Sequence, residues 1–467
     1  MITHKLLTGV LVAVLLLAAC HRDETTAPRS PAAGIIAVPQ LIALTGTDVV
    51  VFDTTNLVPL GFPETVSRLG GVLRFLSERA GVAVVGGLSP DAATLLAQLP
   101  GVSSVTPDRR LNWLPPGELG AATSPLAVSP RPDSIPFWSL QWGLQRIQVD
   151  QAWARGVTGV PAVKVAILDT GIDYDHQDLR GRVLLDLSRS FVTDPVEPGD
   201  SAFMDYHFHG SHVAGIVAAQ TFRMAGVAPN VNLVAVKILN AQGQGTFENM
   251  MAGIDYAASI GADVINLSVG ALLSTSDPQV RDLDRAVTRV MRAAEQQGSL
   301  VVAAAGNDAA NLNDRTVIEV PCEEATLCVT ATGPLLQQNF DQPAWYTNFG
   351  ASVIDLAAPG GNFDPNNSAN FQQEDLVISV CSRKTLLLQL AQCRDTTQVW
   401  YVFAAGTSMA APHVSGTAAL YDSQFMGTKT PAELARQLLT TSDDLGPVGT
   451  DDFYGSGRVN ANRATAF

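Results

Sequence analysis

Residues 409–420 are almost all small or apolar, with Ala410, Ala411, Val414, Ala418, Ala419 and Leu420 among them. A helix built from such residues has no face to offer to water, so it belongs inside a core, and the rest of the chain must fold around it. Gly406-Thr407-Ser408 opens that helix and sets a serine on a glycine turn at its positive end, where negative charge developing near Oγ is favoured. Pro412 is expected among the first four N–H groups, which have no partner within the helix. A serine alone in such a place is an ordinary cap. Partners elsewhere in the chain decide otherwise.

Two partners are present. Residues 163–168 form a short apolar run that ends in Asp169-Thr170-Gly171, the pattern of a buried parallel strand delivering a carboxylate to the sheet edge. His209-Gly210-Ser211-His212 opens a second small-residue helix that continues through Val213, Ala214, Gly215, Ile216 and Val217. Singly, Asp169 is a turn-former and His209 a structural histidine. In the order Asp, His, Ser they describe an aspartate that orients an imidazole and an imidazole that takes the proton from a hydroxyl.

These stretches resemble the three catalytic boxes of the subtilisin-like serine proteases, the subtilases, in their chain order. The boxes are Asp169-Thr170-Gly171-Ile172-Asp173, His209-Gly210-Ser211-His212-Val213-Ala214-Gly215 and Gly406-Thr407-Ser408-Met409-Ala410-Ala411-Pro412-His413. Ser211, where threonine is usual, is the one departure, and it keeps the hydroxyl. Residues 300–307 resemble the strand that ends in the family's oxyanion-hole asparagine, here Asn307, and Ser268-Val269-Gly270 resembles the segment that pairs with substrate backbone. The resemblance covers roughly residues 135–467. It implies an α/β fold with a doubly wound, mostly parallel sheet, and an endopeptidase acting on protein or peptide substrates through Asp169, His209 and Ser408. No cofactor is required for that chemistry. A structural calcium is compatible with the family, and Asp178 aligns with a calcium ligand of some members. No metal residue is assigned, and none of the histidines shows the spacing of a catalytic zinc site.

The alternation of elements agrees with that fold. A strand over 231–239, a helix over 246–260 stopped by Gly261, a strand over 263–267 and a helix begun by Asp277-Pro278 and ended at Gly298 predict a parallel sheet covered on both faces. Thr430-Pro431-Ala432-Glu433 reads as a capping box.

At 467 residues, 46% hydrophobic, the chain can bury a large core and hold more than one domain. A net charge of −15 with no basic block argues against nucleic acid and against an anionic membrane surface. Residues 1–20 carry His4 and Lys5, an apolar run and Leu17-Ala18-Ala19-Cys20, which reads as an export signal. Its ending resembles a bacterial lipobox with Cys20 as the lipidated residue. The expected location is the cell envelope or the medium, with membrane contact only through that lipid. Residues 21–34 read as a tether. Residues 35–113 alternate strand and helix signals, including a helix around 68–80 and another over 89–99, and resemble the inhibitory propeptide of subtilases. Residues 114–136 read as the linker holding the maturation site, and 137–467 as the peptidase domain.

The four cysteines besides Cys20 favour disulfides in an exported protein; of three pairings, Cys322 with Cys328 and Cys381 with Cys393 are preferred because they close short loops. Asp308, next to Asn307, reads as a surface acid, with a place in the specificity pocket as the alternative. His207, His212 and His413 read as structural. Two rival functions are weaker. An α/β-hydrolase requires glycine where Ala410 stands and the order Ser, Asp, His. A catalytically inactive binding protein of subtilase fold has no reason to keep every triad member and Asn307.

Overall fold

The computed structural model describes residues 42–114, 121–122, 135–193, 197, 203–322, 327–367 and 370–466. The expected signal with Cys20, the tether and most of the linker lie outside the described residues.

The N-terminal unit contains β1 (Ala43–Phe52), α1 (Phe62–Arg68), β2 (Val72–Ser77), β3 (Val82–Gly86), α2 (Pro90–Ala97) and β4 (Val102–Asn112). Its strands pair antiparallel in the order β2-β3-β1-β4. Val50, Phe52, Ala83 and Val85 face α1 and α2 through Phe62, Val66 and Leu96, as strand alternation requires. Ser89 caps α2 by accepting the Ala92 N–H, and Pro90 occupies the first turn, as expected. The helix expected around 68–80 is corrected. The helix lies earlier, begun by Phe62-Pro63, and its chain turns at Gly70 with φ +80°, after which Val72-Leu73-Arg74-Phe75-Leu76 runs as a strand. Gly70-Gly71 is a stop signal that apolar content alone had masked.

The larger unit is built on a seven-stranded sheet. Its strands are β5 (Lys164–Asp169), β6 (Arg189–Ser190), β7 (Asn232–Lys237), β9 (Val264–Leu267), β11 (Leu300–Ala304), β13 (Leu327–Thr332) and β14 (Leu356–Pro359). They run in the order β14-β13-β11-β9-β5-β7-β6, and every pairing is parallel. On β5, Val165 and Ile167 join one core while Ala166 and Leu168 join the other. Both faces are therefore buried, which explains why these strands read as unbroken apolar runs.

One face holds α3 (His209–Ala218) and α6 (Thr407–Ser423). The other holds α4 (Phe247–Ser259), preceded by the short strand β8 (Gln244–Thr246), and α5 (Pro278–Gln296). Thr246 and Asn249 form a reciprocal capping box at the start of α4, and Thr430 with Glu433 forms the expected one on α7 (Pro431–Thr441). An antiparallel pair, β10 (Ala271–Ser274) and β12 (Val317–Val320), extends beyond β9, and a second pair, β15 (Val377–Val380) and β16 (Tyr401–Ala404), precedes α6. Both short-loop disulfides, Cys322 to Cys328 and Cys381 to Cys393, are formed.

Every residue of α6 is buried, as its composition requires. The place of Pro412 is corrected, however. With Gly406 as cap, Pro412 is inside the helix and beyond its first turn, so the carbonyl of Ser408, four residues back, loses its helical donor. Ser268 Oγ supplies the replacement, donating to that carbonyl at 2.8 Å.

Val49, Val51, Val82 and Val84, on the other side of the N-terminal sheet, share a core with α4 and α5. Asp108 accepts from the N–H groups of Phe247 and Glu248 at the start of α4, Arg109 pairs with Asp277, and Arg74 pairs with Glu248. β4 then continues as an antiparallel neighbour of β8.

Candidate active site

Each sequence-predicted residue sits where an element ends. Asp169 closes β5, fully buried, with its carbonyl taken by the Ile238 N–H. His209 opens α3 and is also fully buried. Its Nδ1 lies 2.9 Å from both Asp169 oxygens, so the carboxylate accepts from Nδ1–H and places the ring's lone pair on Nε2. Gly210 permits this approach, because a Cβ there would stand 2.1 Å from the Gly171 carbonyl oxygen and 3.1 Å from Asp169 Cβ. Ser211 uses the hydroxyl that its box demands. It accepts from the Asp173 N–H at 2.8 Å and donates to Asp205 at 2.6 Å, while the other Asp205 oxygen accepts from Thr170. Burial pushes Asp205 up to about 6.

Ser408 is in the first turn of α6, which packs against α3. Its Oγ donates to the Ser268 carbonyl at 2.9 Å, and Ser268 Oγ returns a bond to the Ser408 carbonyl. Asn266 steadies this pair, donating to Ser268 Oγ and accepting from Ser415 on α6. The serine turn is thus stitched to the segment that carries Ser268, Val269 and Gly270.

Asn307 follows β11 and is bonded to Thr407, the residue before Ser408. Its Oδ1 accepts from both the N–H and the hydroxyl of Thr407 at 2.9 Å, and Thr407 Oγ1 accepts from the Gly306 N–H at 3.1 Å. With Oδ1 fixed by two donors, the amide nitrogen points away from Thr407, the orientation in which it can donate to an oxygen beside Ser408. The sequence named Asn307 but not Thr407 as its support, although Thr407 stands in the serine box itself.

His212 and His413 are held by backbone carbonyls. His212 Nε2 lies 3.1 Å from the carbonyls of Val377 and Val402, and His413 Nδ1 is 2.8 Å from that of Met409. Burial holds His207 and His212 down at about 3 and His413 at about 4, so none of them titrates near neutrality. Asp178 does not fit a calcium ligand, because its oxygens accept from the Tyr401 hydroxyl and from the N–H groups of Phe222 and Arg223. Among the described residues no group of three or more His, Cys, Asp or Glu could hold a metal.

Asp308 is half-buried, with its N–H given to Asn348 Oδ1 and its carboxyl raised by burial, so the reading of a surface acid is corrected. Sequence reasoning missed a second acid beside it. Glu319, on β12, is buried near Gly306, and the signal that could have found it is a lone acid inside the apolar run Val317-Ile318-Glu319-Val320.

The model of the subtilase family matches residues 161–457, which contain every residue of this site. The chain belongs to the subtilase family. This subtilase is a serine-type endopeptidase, 33% identical over 339 residues to thermitase of Thermoactinomyces vulgaris, covering 72% of this chain and 99% of that one. It is also 33% identical over 341 residues to the thermophilic serine proteinase of Bacillus sp. strain AK1, covering 72% of this chain and 69% of that one. The crystal structure of the epidermin leader peptide processing serine protease of Staphylococcus aureus shares the fold, with a TM-score of 0.69 at 23% identity, over 90% of this chain and 97% of that one.

Proposed function

We propose that the subtilase hydrolyses peptide bonds with Ser408 as nucleophile, His209 as proton shuttle and Asp169 as its orienter, and that it is exported as a precursor that cuts itself. The observation that carries the catalytic reading is the buried His209–Asp169 pair at 2.9 Å. A carboxylate there fixes the tautomer in which Nε2 accepts the Ser408 proton and stabilises the imidazolium that results. Ser408 Oγ then attacks the carbonyl, and the oxyanion is received by the Ser408 N–H and the Asn307 amide. His209 returns the proton to the leaving amine.

Substrate would lie as an extended strand between β8 and the segment 268–270, a mode that reads main chain. The chain's own tail supports this. Trp113 donates its N–H to the Gly243 carbonyl and accepts from the Gly270 N–H at 3.0 Å, while β4 pairs with β8. Residues 35–113 therefore act as an inhibitory propeptide whose tail occupies the substrate slot. Maturation falls within 114–136.

Asn307→Ala lowers kcat by about 10²–10³ with little change in KM, the size of loss seen in subtilisin when this type of donor is removed. Steady-state kinetics on a chromogenic peptide check it; the same loss carried in KM would assign Asn307 to substrate binding instead. Export with a lipid at Cys20 predicts that Cys20→Ser moves the precursor from the membrane to the soluble fraction. Unchanged partitioning leaves a plain signal.

A further inference from the structure

Between β15 and β16 the chain leaves the sheet for a loop closed by Cys381 and Cys393, both fully buried. The disulfide packs in one core with Phe208, which precedes His209, and with Met409, which follows Ser408. From this anchor, residues 382–386 reach both segments that meet at the His209–Asp169 pair. Ser382 Oγ donates to the Asp205 carbonyl at 2.6 Å, and the Leu386 N–H donates to that of Tyr206 at 2.8 Å, so the approach to His209 is held at two points. Arg383 takes the other side. Its Nη2 donates to Asp173 Oδ1 at 2.7 Å, while its Nε and its own N–H donate to Oδ2 at 2.8 and 2.9 Å.

Asp173 ends the box that Asp169 opens, and it is fully buried. Its N–H donates to Ser211 Oγ at 2.8 Å, and Ser211 lies in the first turn of α3, just after His209. The backbone that carries Asp169 is thereby tied to the helix that carries His209, through a residue whose carboxylate Arg383 grips. Burial raises that carboxyl, and the bonds and charge of Arg383 more than offset it, leaving it below the usual range. Asp175, which is exposed, adds only a 3.7 Å contact to the guanidinium. Without that guanidinium Asp173 would keep a buried charge and lose two of its donors, and the turn would have to shift to bring the carboxylate to water. We propose that Arg383 is a positioning residue of this peptidase: it fixes Asp173, and through it the turn 169–173, in the register that keeps Asp169 on His209 Nδ1. The fork matters as well as the charge, because two parallel bonds set the orientation of the carboxylate where one would leave it free to swing. The His209 ring, held at 2.9 Å from both Asp169 oxygens, has little room for drift, and a misplacement of about 1 Å in such a group costs about 10²-fold in rate.

This inference rests on the peptidase reading, and its test separates the two. The full chain is expressed, the sites that react with a serine-directed reagent are counted, and kcat on a chromogenic peptide is expressed per reactive site, so that unfolded protein drops out of the comparison. Arg383→Met is expected to lower that kcat by about 10- to 100-fold with KM within a few-fold. Asp173→Asn lowers it too, and the double variant is no worse than Arg383→Met alone, since both act through one set of bonds. Arg383→Lys keeps the charge without the fork and falls between, and it carries the test if Arg383→Met does not fold. Arg458→Met removes a guanidinium that is more deeply buried and pairs with Asp341 and Asp443; it lowers Tm and leaves kcat per site unchanged. Wild-type kcat per site in Arg383→Met or in Arg383→Lys overturns the inference. So does a loss carried in KM, an additive loss in the double variant, or an equal loss in Arg458→Met. A wild type that hydrolyses no peptide removes the peptidase reading, and the inference with it.

Discussion

Ser408→Ala lowers kcat for peptide hydrolysis by about 10⁶-fold, the size of loss seen in subtilisin when its nucleophile is removed. The size follows from how the site is joined. In the proposed mechanism His209 and Asp169 act only through a hydroxyl in the first turn of α6, so once Oγ is gone their proton chemistry has nothing to act on. The Asn307 amide and the Ser408 N–H remain, and a weak residual rate survives from them. KM stays within a few-fold, since Gly270, Gly243 and β8 keep their backbone groups. Circular dichroism and thermal melting should show the variant folded, because the lost bond to the Ser268 carbonyl contributes only about 1 kcal/mol. Retention of more than a few per cent of wild-type kcat would remove Ser408 from the reaction.

The second large effect concerns the precursor. An active site assembled before export would digest its host, and on the proposal above the tail that pairs with β8 and bonds to Gly243 and Gly270 blocks it. The linker after residue 114 is then the first peptide that a completed site meets. Wild type is expected to yield a fragment that begins between about residues 115 and 136, whereas Ser408→Ala accumulates uncut. If Cys20 carries a lipid, the uncut form stays with the membrane and the mature fragment leaves it unless the two parts remain bound. N-terminal sequencing and fractionation from a protease-deficient host give the answer. Cleavage of Ser408→Ala at the same bond would make processing the work of another protease. A wild-type enzyme active with its linker intact would remove the inhibitory role of residues 35–113.

Much of this arrangement was legible in the sequence, for identifiable reasons. Buried parallel strands read as unbroken apolar runs, so β5, β7 and β9 announced themselves, and Asp277-Pro278 and Thr430-Pro431 marked helix starts by their caps. The family was legible because three long boxes occur in one order, and the structure pairs His209 with Asp169 from two of them. What was lost depended on residues that act across the fold. Gly70-Gly71 ends the helix early and turns the expected helix over 68–80 into a strand. Pro412 was placed in the first turn because the sequence does not show where the helix begins, nor that Ser268 would take over the freed carbonyl. Asp178 aligns in sequence with a calcium ligand, but Tyr401, more than two hundred residues away, donates its hydroxyl to that carboxylate. Glu319 gave no signal beyond an acid in a short strand, since the glycines that make room for it lie on two other segments.

The claim that Asp169, His209 and Ser408 form the working site is tested most directly by covalent labelling. Mature enzyme is treated with a serine-directed phosphonylating or sulfonylating reagent, residual activity is followed in time, and the adduct is located by peptide mass spectrometry. The account predicts one adduct per chain, on Ser408, with activity lost in proportion to labelling and labelling suppressed in His209→Ala. An adduct on any other serine with activity falling in step, or full activity in protein labelled at Ser408, would contradict it.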